Sequence, residues 1–203
     1  MRKAKVTSGI TMTLDGFTAG HNQTFDRPFG DNFDADLLDR WMFAEPEKHK
    51  HKKEIDAILD AGAFIMGSNM FGPSDRREKP QWKGWWGDNP PYHAPVFVLS
   101  HKKREPIKME GGTTFFFVTD GINSALSKAK EAAGERNVKI MGGANTVNQY
   151  LAACLVDELW LHIVPVTIGT GTRLFENVPN LKLKPTEISG TEMVTHIRYK
   201  VLK

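Results

Sequence analysis

VKIMGGANTVNQYLAACLVDELWLHIVPVTIGTGTRLF, residues 138 to 175, reads as a strand, a Gly-Gly turn, a helix and a long strand ending in a second glycine-rich bend. The short apolar run Val138–Met141 is strand-like, and Gly142-Gly143 can take backbone angles closed to other residues. Ala144–Cys154 carries apolar residues at helical spacing, with Val147, Leu151 and Cys154 on one side. That spacing predicts a buried, structural Cys154 thiol rather than a nucleophile. Glycines at a strand end and before a helix start let a phosphate approach the free N–H groups there. A dinucleotide pyrophosphate is the ligand such a turn suggests. The same turn also serves simply to join a strand to a helix.

Working outward, strand-like runs occupy Val6–Met12, Phe64–Met66, Val96–Leu99, Thr113–Thr119 and Leu159–Ile168. Two more are expected at Lys182–Ser189 and Met193–Leu202. Helical patterns cover Phe33–Phe43, a stretch from Pro46 to about Asp60, and Gly121–Ala133. On the first of these helices Phe33, Leu37, Leu38 and Trp41 share one side. Strands separated by helices argue for a mostly parallel sheet covered on both faces, and the strand-only tail argues for an antiparallel edge. Residues 73–95, PSDRREKPQWKGWWGDNPPYHAP, hold five prolines and three tryptophans without periodicity. They read as an ordered lid or surface insertion. No repeat or linker divides the chain, so residues 1–203 are expected to form one α/β domain.

The bulk composition narrows the function classes. With 27 basic against 24 acidic residues the charges nearly cancel, which is poor support for a nucleic-acid partner. The start, MRKAKVTSGITMTLDGF, turns polar before a signal core develops, and no run approaches the roughly 20 apolar residues that span a bilayer. A soluble, cytoplasmic protein without a membrane partner is expected. A single cysteine excludes an internal disulfide and a multi-cysteine metal site. The run EKHKHKKE at 47–54 reads as a solvated helix face, on which His49 and His51 point apart. No metal site is expected.

TLDGFTAG at 13–20, FIMGSNMFG at 64–72, PVFVLSHK at 95–102, GGTTFFFVTDG at 111–121, IMGGANT at 140–146 and LVDELWLHIVPVTIGTGTRLF at 155–175 resemble the dihydrofolate-reductase-like superfamily. Within it the chain is most similar to the C-terminal reductase domain of the bifunctional riboflavin-biosynthesis deaminase-reductase, and to stand-alone relatives of that domain. The likeness implies a single three-layer domain that binds a nicotinamide cofactor and a small-molecule substrate, and it implies a homodimer. It implies that Gly142, Gly143, Ala144, Asn145 and Thr146 form the pyrophosphate loop. It places Gly67 and Ser68 at the cofactor phosphates, and Ser100, His101 and Lys102 beside the adenosine ribose. It makes Leu14–Gly20, with Leu14 and Gly16, the loop that closes over nicotinamide. Many members have Arg where this chain has Ser68. Lys102, Lys103 or Arg104 are expected to compensate, so NADPH is favoured and NADH stays possible; HKKRE also reads as a solvated basic turn.

The reduction needs a proton as well as a hydride. Candidate donors are Asp15, which also reads as an ordinary turn residue, His162, which also reads as a core histidine, and Asp34, Asp36 and Asp39. Arg173, in the Gly169–Arg173 bend, suits a substrate phosphate or a surface ion pair. Trp82, Trp86 and their aromatic neighbours would roof a flat heterocycle, form a dimer contact or simply pack the insertion. The most concrete expected activity is that of a 5-amino-6-(5-phosphoribosylamino)uracil reductase. The zinc deaminase half is excluded, because Cys154 alone cannot make its Pro-Cys-x-x-Cys element. Dihydrofolate reductase activity and a non-catalytic nucleotide-binding role are the competing readings.

Overall fold

Short apolar runs with no polar alternation become strands buried on both faces, as parallel sheets require. The computed structural model describes residues 4–31 and 33–203; residues 1–3 of the stretch read for a leader lie outside it. Among the described residues eleven strands are formed: β1 (Val6–Thr13), β2 (Phe17–Ala19), β3 (Ala63–Gly67), β4 (Pro95–Leu99), β5 (Ile107–Lys108), β6 (Thr114–Val118), β7 (Val138–Gly142), β8 (Glu158–Val164), β9 (Thr172–Arg173), β10 (Lys182–Gly190) and β11 (Thr195–Leu202). The helices are α1 (Ala35–Phe43), α2 (Glu47–Lys50), α3 (Lys52–Leu59), α4 (Ser68–Phe71), α5 (Ile122–Ala133) and α6 (Ala144–Ala152).

The main sheet has the order β10-β11-β8-β1-β7-β3-β4-β6-β5. From β8 to β6 every pairing is parallel. β10 and β11 form an antiparallel edge on β8, and β5 lies antiparallel on β6. β2 and β9 make a separate antiparallel pair. The architecture is the expected three-layer α/β domain, mostly parallel, with an antiparallel C-terminal edge.

Alternate residues of each strand feed two cores. Ile65, Phe97 and Ile140 pack beneath α5 and α6 with Ala125, Ala129, Val147 and Tyr150. Phe64, Met66, Val96 and Val98 point the other way, under Phe71, Tyr92, Trp82 and Trp86. The 73–95 insertion is therefore apolar because it covers half of one sheet face. Arg104 fastens it there, donating to the carbonyls of Arg77, Pro80 and Trp82 at 3.1, 3.0 and 2.5 Å. On the same face α1 and α3 pack Leu38, Trp41, Ile55 and Ile58 against Val164 and Val194. Lys139 is buried beside them, and burial pushes its ammonium down to about 8. Its Nζ donates 2.6 Å to the carbonyl of Ala57, where α3 exposes unpaired carbonyls.

Four local expectations are corrected. α1 starts at Ala35, capped by the Asp34 carboxylate on the Asp36 N–H, so Phe33 precedes it; Leu37 is exposed. The 47–54 run is not a solvated face: it breaks at His51, which separates α2 from α3, and both His51 and Glu54 are buried. β8 ends at Val164 rather than continuing to Ile168. Cys154 is exposed because α6 stops at Ala152. Cys154 takes a left-handed conformation (φ 55°), and the N–H groups of Cys154 and Leu155 bond back to Leu151 and Tyr150. That is a Schellman ending with cysteine where glycine usually stands.

At the end of β3 a Cβ on Gly67 would fall 2.4 Å from Thr146 Oγ1, so α6 approaches β3 only because residue 67 has no side chain. Gly67→Ala is expected to cost about 1–3 kcal/mol in urea unfolding. Adding Thr146→Ala should recover most of that loss; additive effects would show that the two sites are not in contact.

Candidate active site

Because β1, β7, β3 and β4 are parallel neighbours, their C-terminal ends lie side by side on one sheet edge. The turns that leave this edge are Leu14–Gly16, Gly142–Gly143, Gly67–Ser68 and Ser100–Lys102. Segments scattered from Leu14 to Gly143 thus meet where open parallel sheets offer a crevice.

The Gly142–Gly143 peptide is cis, and Gly142 has φ 135°. Gly143 is different: at φ −66°, ψ −171° its backbone would accept other residues, and a Cβ there would meet nothing within 4 Å. Neither the chain's packing nor its conformation demands glycine at 143. No side chain caps α6, and its first backbone bonds run from Thr146 and Val147 to the Gly143 carbonyl. The N–H groups of Ala144 and Asn145 lie ahead of that bonding and face the edge unpaired by the helix. The residues present therefore fit a dinucleotide phosphate group.

α4 begins beside this turn with Ser68 and Asn69. Arg77 reaches it from the insertion, its Nη1 donating to Asn69 Oδ1. A guanidinium is thus supplied next to Ser68 by a residue that sequence reasoning passed over. Nine residues downstream of Ser68 inside an aperiodic loop, Arg77 gave no local signal. Arg104, expected to compensate for Ser68, is spent on the three insertion carbonyls instead. The Ser100 hydroxyl closes a tight turn onto Lys102, accepting from its N–H and donating to its carbonyl. The Lys102 ammonium pairs with Glu78, also at 2.5 Å. His101, Lys102 and Lys103 remain exposed.

The loop after β1 is fastened rather than loose. Leu14 N–H donates to the Val166 carbonyl at 2.8 Å, and Leu174 N–H to the Gly16 carbonyl at 2.9 Å. The Asp15 carboxylate accepts from Thr13 Oγ1 at 2.6 Å, Gly169 N–H at 2.8 Å and Ile168 N–H at 3.1 Å. Desolvation opposes its ionisation, but these hydrogen bonds outweigh it and hold the carboxyl below its ordinary range. Asp15 is consequently an ionised turn anchor and a poor acid. At the start of the bend that carries Arg173, the N–H groups of Ile168 and Gly169 are taken by Asp15. Arg173 lies 4.8 Å from the Phe17 ring centroid and donates to the Asp15 carbonyl at 3.2 Å, with no carboxylate partner among the described residues.

His162, expected either to face the substrate pocket or to sit in the core, is enclosed. It is 2 % exposed, sits 4.8 Å from the Trp41 ring centroid, and its Nδ1 is 2.7 Å from His196 Nδ1. Burial, then the neighbouring His196 and Lys139, push its imidazole down to about 3, so it is neutral. The expected aromatic roof is also turned inward. Trp86 stacks on Phe115 at 5.9 Å, and Trp82 Nε1 donates to the Phe71 carbonyl. Trp85 instead stacks on Phe25 at 5.7 Å, with Arg76 on the same ring, which clasps the 20–30 loop to the insertion. Among the acids, Asp39 on α1 stands apart. It is half-buried, and burial alone raises its carboxyl to about 6.

The chain is a mostly parallel α/β protein with a glycine turn at the C-terminal edge of its sheet. Residues 4–196 match the RibD C-terminal domain, and the chain belongs to that family. The uncharacterized protein YyaP of Bacillus subtilis (strain 168) is 24 % identical, the match covering 96 % of this chain and 94 % of that protein. The fold is shared with a protein of Shewanella sp. PV-4 assigned to riboflavin biosynthesis, at TM-score 0.68 and 20 % identity, over 98 % of this chain and 99 % of that one. It is shared also with the riboflavin biosynthesis reductase Rib7 of Saccharomyces cerevisia, at TM-score 0.55 and 16 % identity, over 99 % and 90 %. No described helix is long and apolar enough to cross a membrane.

Asp15→Ala is expected to free the Ile168 and Gly169 N–H groups, so amide exchange should accelerate there while the core amides stay protected. Unchanged exchange at both positions would show that the carboxylate does not hold the bend. Because the folded carboxyl titrates below its unfolded value, the wild-type protection should persist above the ordinary carboxylate range. It should fade only as pH falls through the lowered value.

Proposed function

We propose that the chain is an NADPH-dependent reductase acting on a small heterocyclic or ribosylamino-pyrimidine substrate. Its most concrete form is the reduction of 5-amino-6-(5-phosphoribosylamino)uracil. The observation that carries the proposal is the meeting of four glycine- and serine-bearing turns on one sheet edge, with Gly143 free of any packing demand. Bound NADPH supplies the hydride. The chain supplies the rest: Gly143 leaves room for the pyrophosphate, and the N–H groups of Ala144 and Asn145 with the Ser68 hydroxyl donate to it. Arg77 and Lys102 flank the position of an adenosine 2′-phosphate, for which a guanidinium is the better donor. Exposed Leu14, at the tip of the anchored loop, excludes water from the reacting carbons.

Asp39 is the preferred proton source. A carboxyl that titrates near 6 is partly protonated near neutral pH and can give that proton as the hydride arrives. Asp15, ionised and triply hydrogen-bonded, has none to give.

Quenching of tryptophan fluorescence should report NADPH binding, with NADH weaker. Gly143→Val should abolish both, and Arg77→Ala should weaken NADPH about tenfold or more while leaving NADH unchanged. Failure of wild type to bind either nucleotide would remove the reductase proposal. With the phosphoribosylaminouracil as substrate, turnover should fall about tenfold per pH unit above 6, as the acid form of Asp39 is lost. Asp39→Asn should lower kcat about 10²–10⁴-fold and flatten that limb. A profile unaltered in Asp39→Asn would assign the proton elsewhere.

A further inference from the structure

Beneath α1 and α3 lies a buried polar cluster that the proposed reduction does not call on. His51 ends α2 and precedes α3, Glu54 lies in the first turn of α3, and His196 comes from β11. Their exposures are 2 %, 7 % and 4 %. One donor atom from each lies within 4.8 Å of the others. His51 Nδ1 and His196 Nε2 face one another at 2.9 Å.

We propose that His51, Glu54 and His196 bind one divalent transition-metal ion, with zinc the best match to two imidazoles and a carboxylate.

Hydrogen bonding around the cluster favours the ligating tautomers. A metal-bound imidazole needs its outer N–H held by an acceptor. His196 Nδ1 lies 2.7 Å from His162 Nδ1, and His51 Nε2 lies 3.3 Å from Thr191 Oγ1. Both inner nitrogens can therefore present lone pairs at once while their outer N–H groups remain satisfied. Without a metal, the 2.9 Å contact between those inner nitrogens requires a proton on one of them, and ligation would move that proton to the outer nitrogen of the same ring. Zinc–nitrogen bonds of about 2.0–2.1 Å in a tetrahedron place two nitrogens about 3.3 Å apart, an opening of about 0.4 Å. The Glu54 carboxylate accepts from Ser189 Oγ at 2.9 Å and pairs with no lysine or arginine among the described residues. A buried carboxylate so placed is costly without a cation. Two neighbouring nitrogens, Trp41 Nε1 and His162 Nε2, are buried with no hydrogen-bond partner among the described residues. Three protein ligands leave a fourth position for water. The ion would clip α3 to the β10–β11 hairpin, a structural role separate from the sheet edge.

Untagged protein stripped with a chelator should take up one equivalent of Zn2+ by calorimetry, with a higher Tm. Co2+ in its place should give the visible bands of a tetrahedral site and quench Trp41, whose ring centroid is 4.9 Å from that of His196. Glu54→Gln and His196→Asn should abolish uptake, and His162→Asn should weaken it about 10–100-fold. His49→Asn, on the surface, should leave it intact. The proposal is overturned if wild type takes up no metal, or if uptake persists in both Glu54→Gln and His196→Asn. The wild-type Co2+ spectrum decides the matter even if those variants fail to fold.

Discussion

Parallel pairing from β8 through β6 is the constraint on which the rest depends. A parallel strand cannot return by a tight hairpin, so each must be followed by a crossover that begins at the same edge. Every turn with chemical character is thereby delivered to one rim, whatever its distance in sequence. The crowding this causes explains why Gly67 must lack a side chain where α6 passes it. The same crowding brings Thr146 of α6 against the end of β3, one residue before Ser68.

Several of the chain's charges are consumed by its own backbone. Asp15 fills the N–H groups of the 168–169 bend, Arg104 ties three carbonyls of the insertion, and Lys139 closes the end of α3. Each is a residue that in isolation resembles a site group, and each is unavailable because a loop or helix end had unpaired polar groups nearby. Gly143, the first N–H groups of α6 and the acid of Asp39 have no such internal use.

The layers and most strands were legible because their residues are apolar on both faces and their lengths are short, as at Phe64–Met66 and Val96–Leu99. The glycine turn was legible because strand, glycines and helix are contiguous. Cys154 was misjudged since helical spacing says nothing about where a helix stops, and here a left-handed residue stops it early. His51 and Glu54 were misjudged because their lysine neighbours look solvated; only the break at His51 and the distant hairpin from β10 to β11 bury them. The roles of Asp15 and Trp86 were hidden for a related reason: their partners, Gly169 and Phe115, come from elsewhere in the chain. Long-range partners have no periodicity to read.

Two kinds of polar concentration remain, and they differ in what surrounds them. At the sheet edge, donors stand beside open space, an arrangement suited to a ligand that arrives and leaves. Under α1, the imidazoles and the Glu54 carboxylate are enclosed by Trp41, Thr191 and Ser189, where an exchangeable substrate has no room to enter. An enclosed carboxylate needs a compact counter-charge, which a proton shared with an imidazole or a bound metal ion can provide. The enclosure thus sets the proposed turnover site apart from the proposed metal site within a single sheet. It also ties the ordering of α3 against the β10–β11 edge to those enclosed groups.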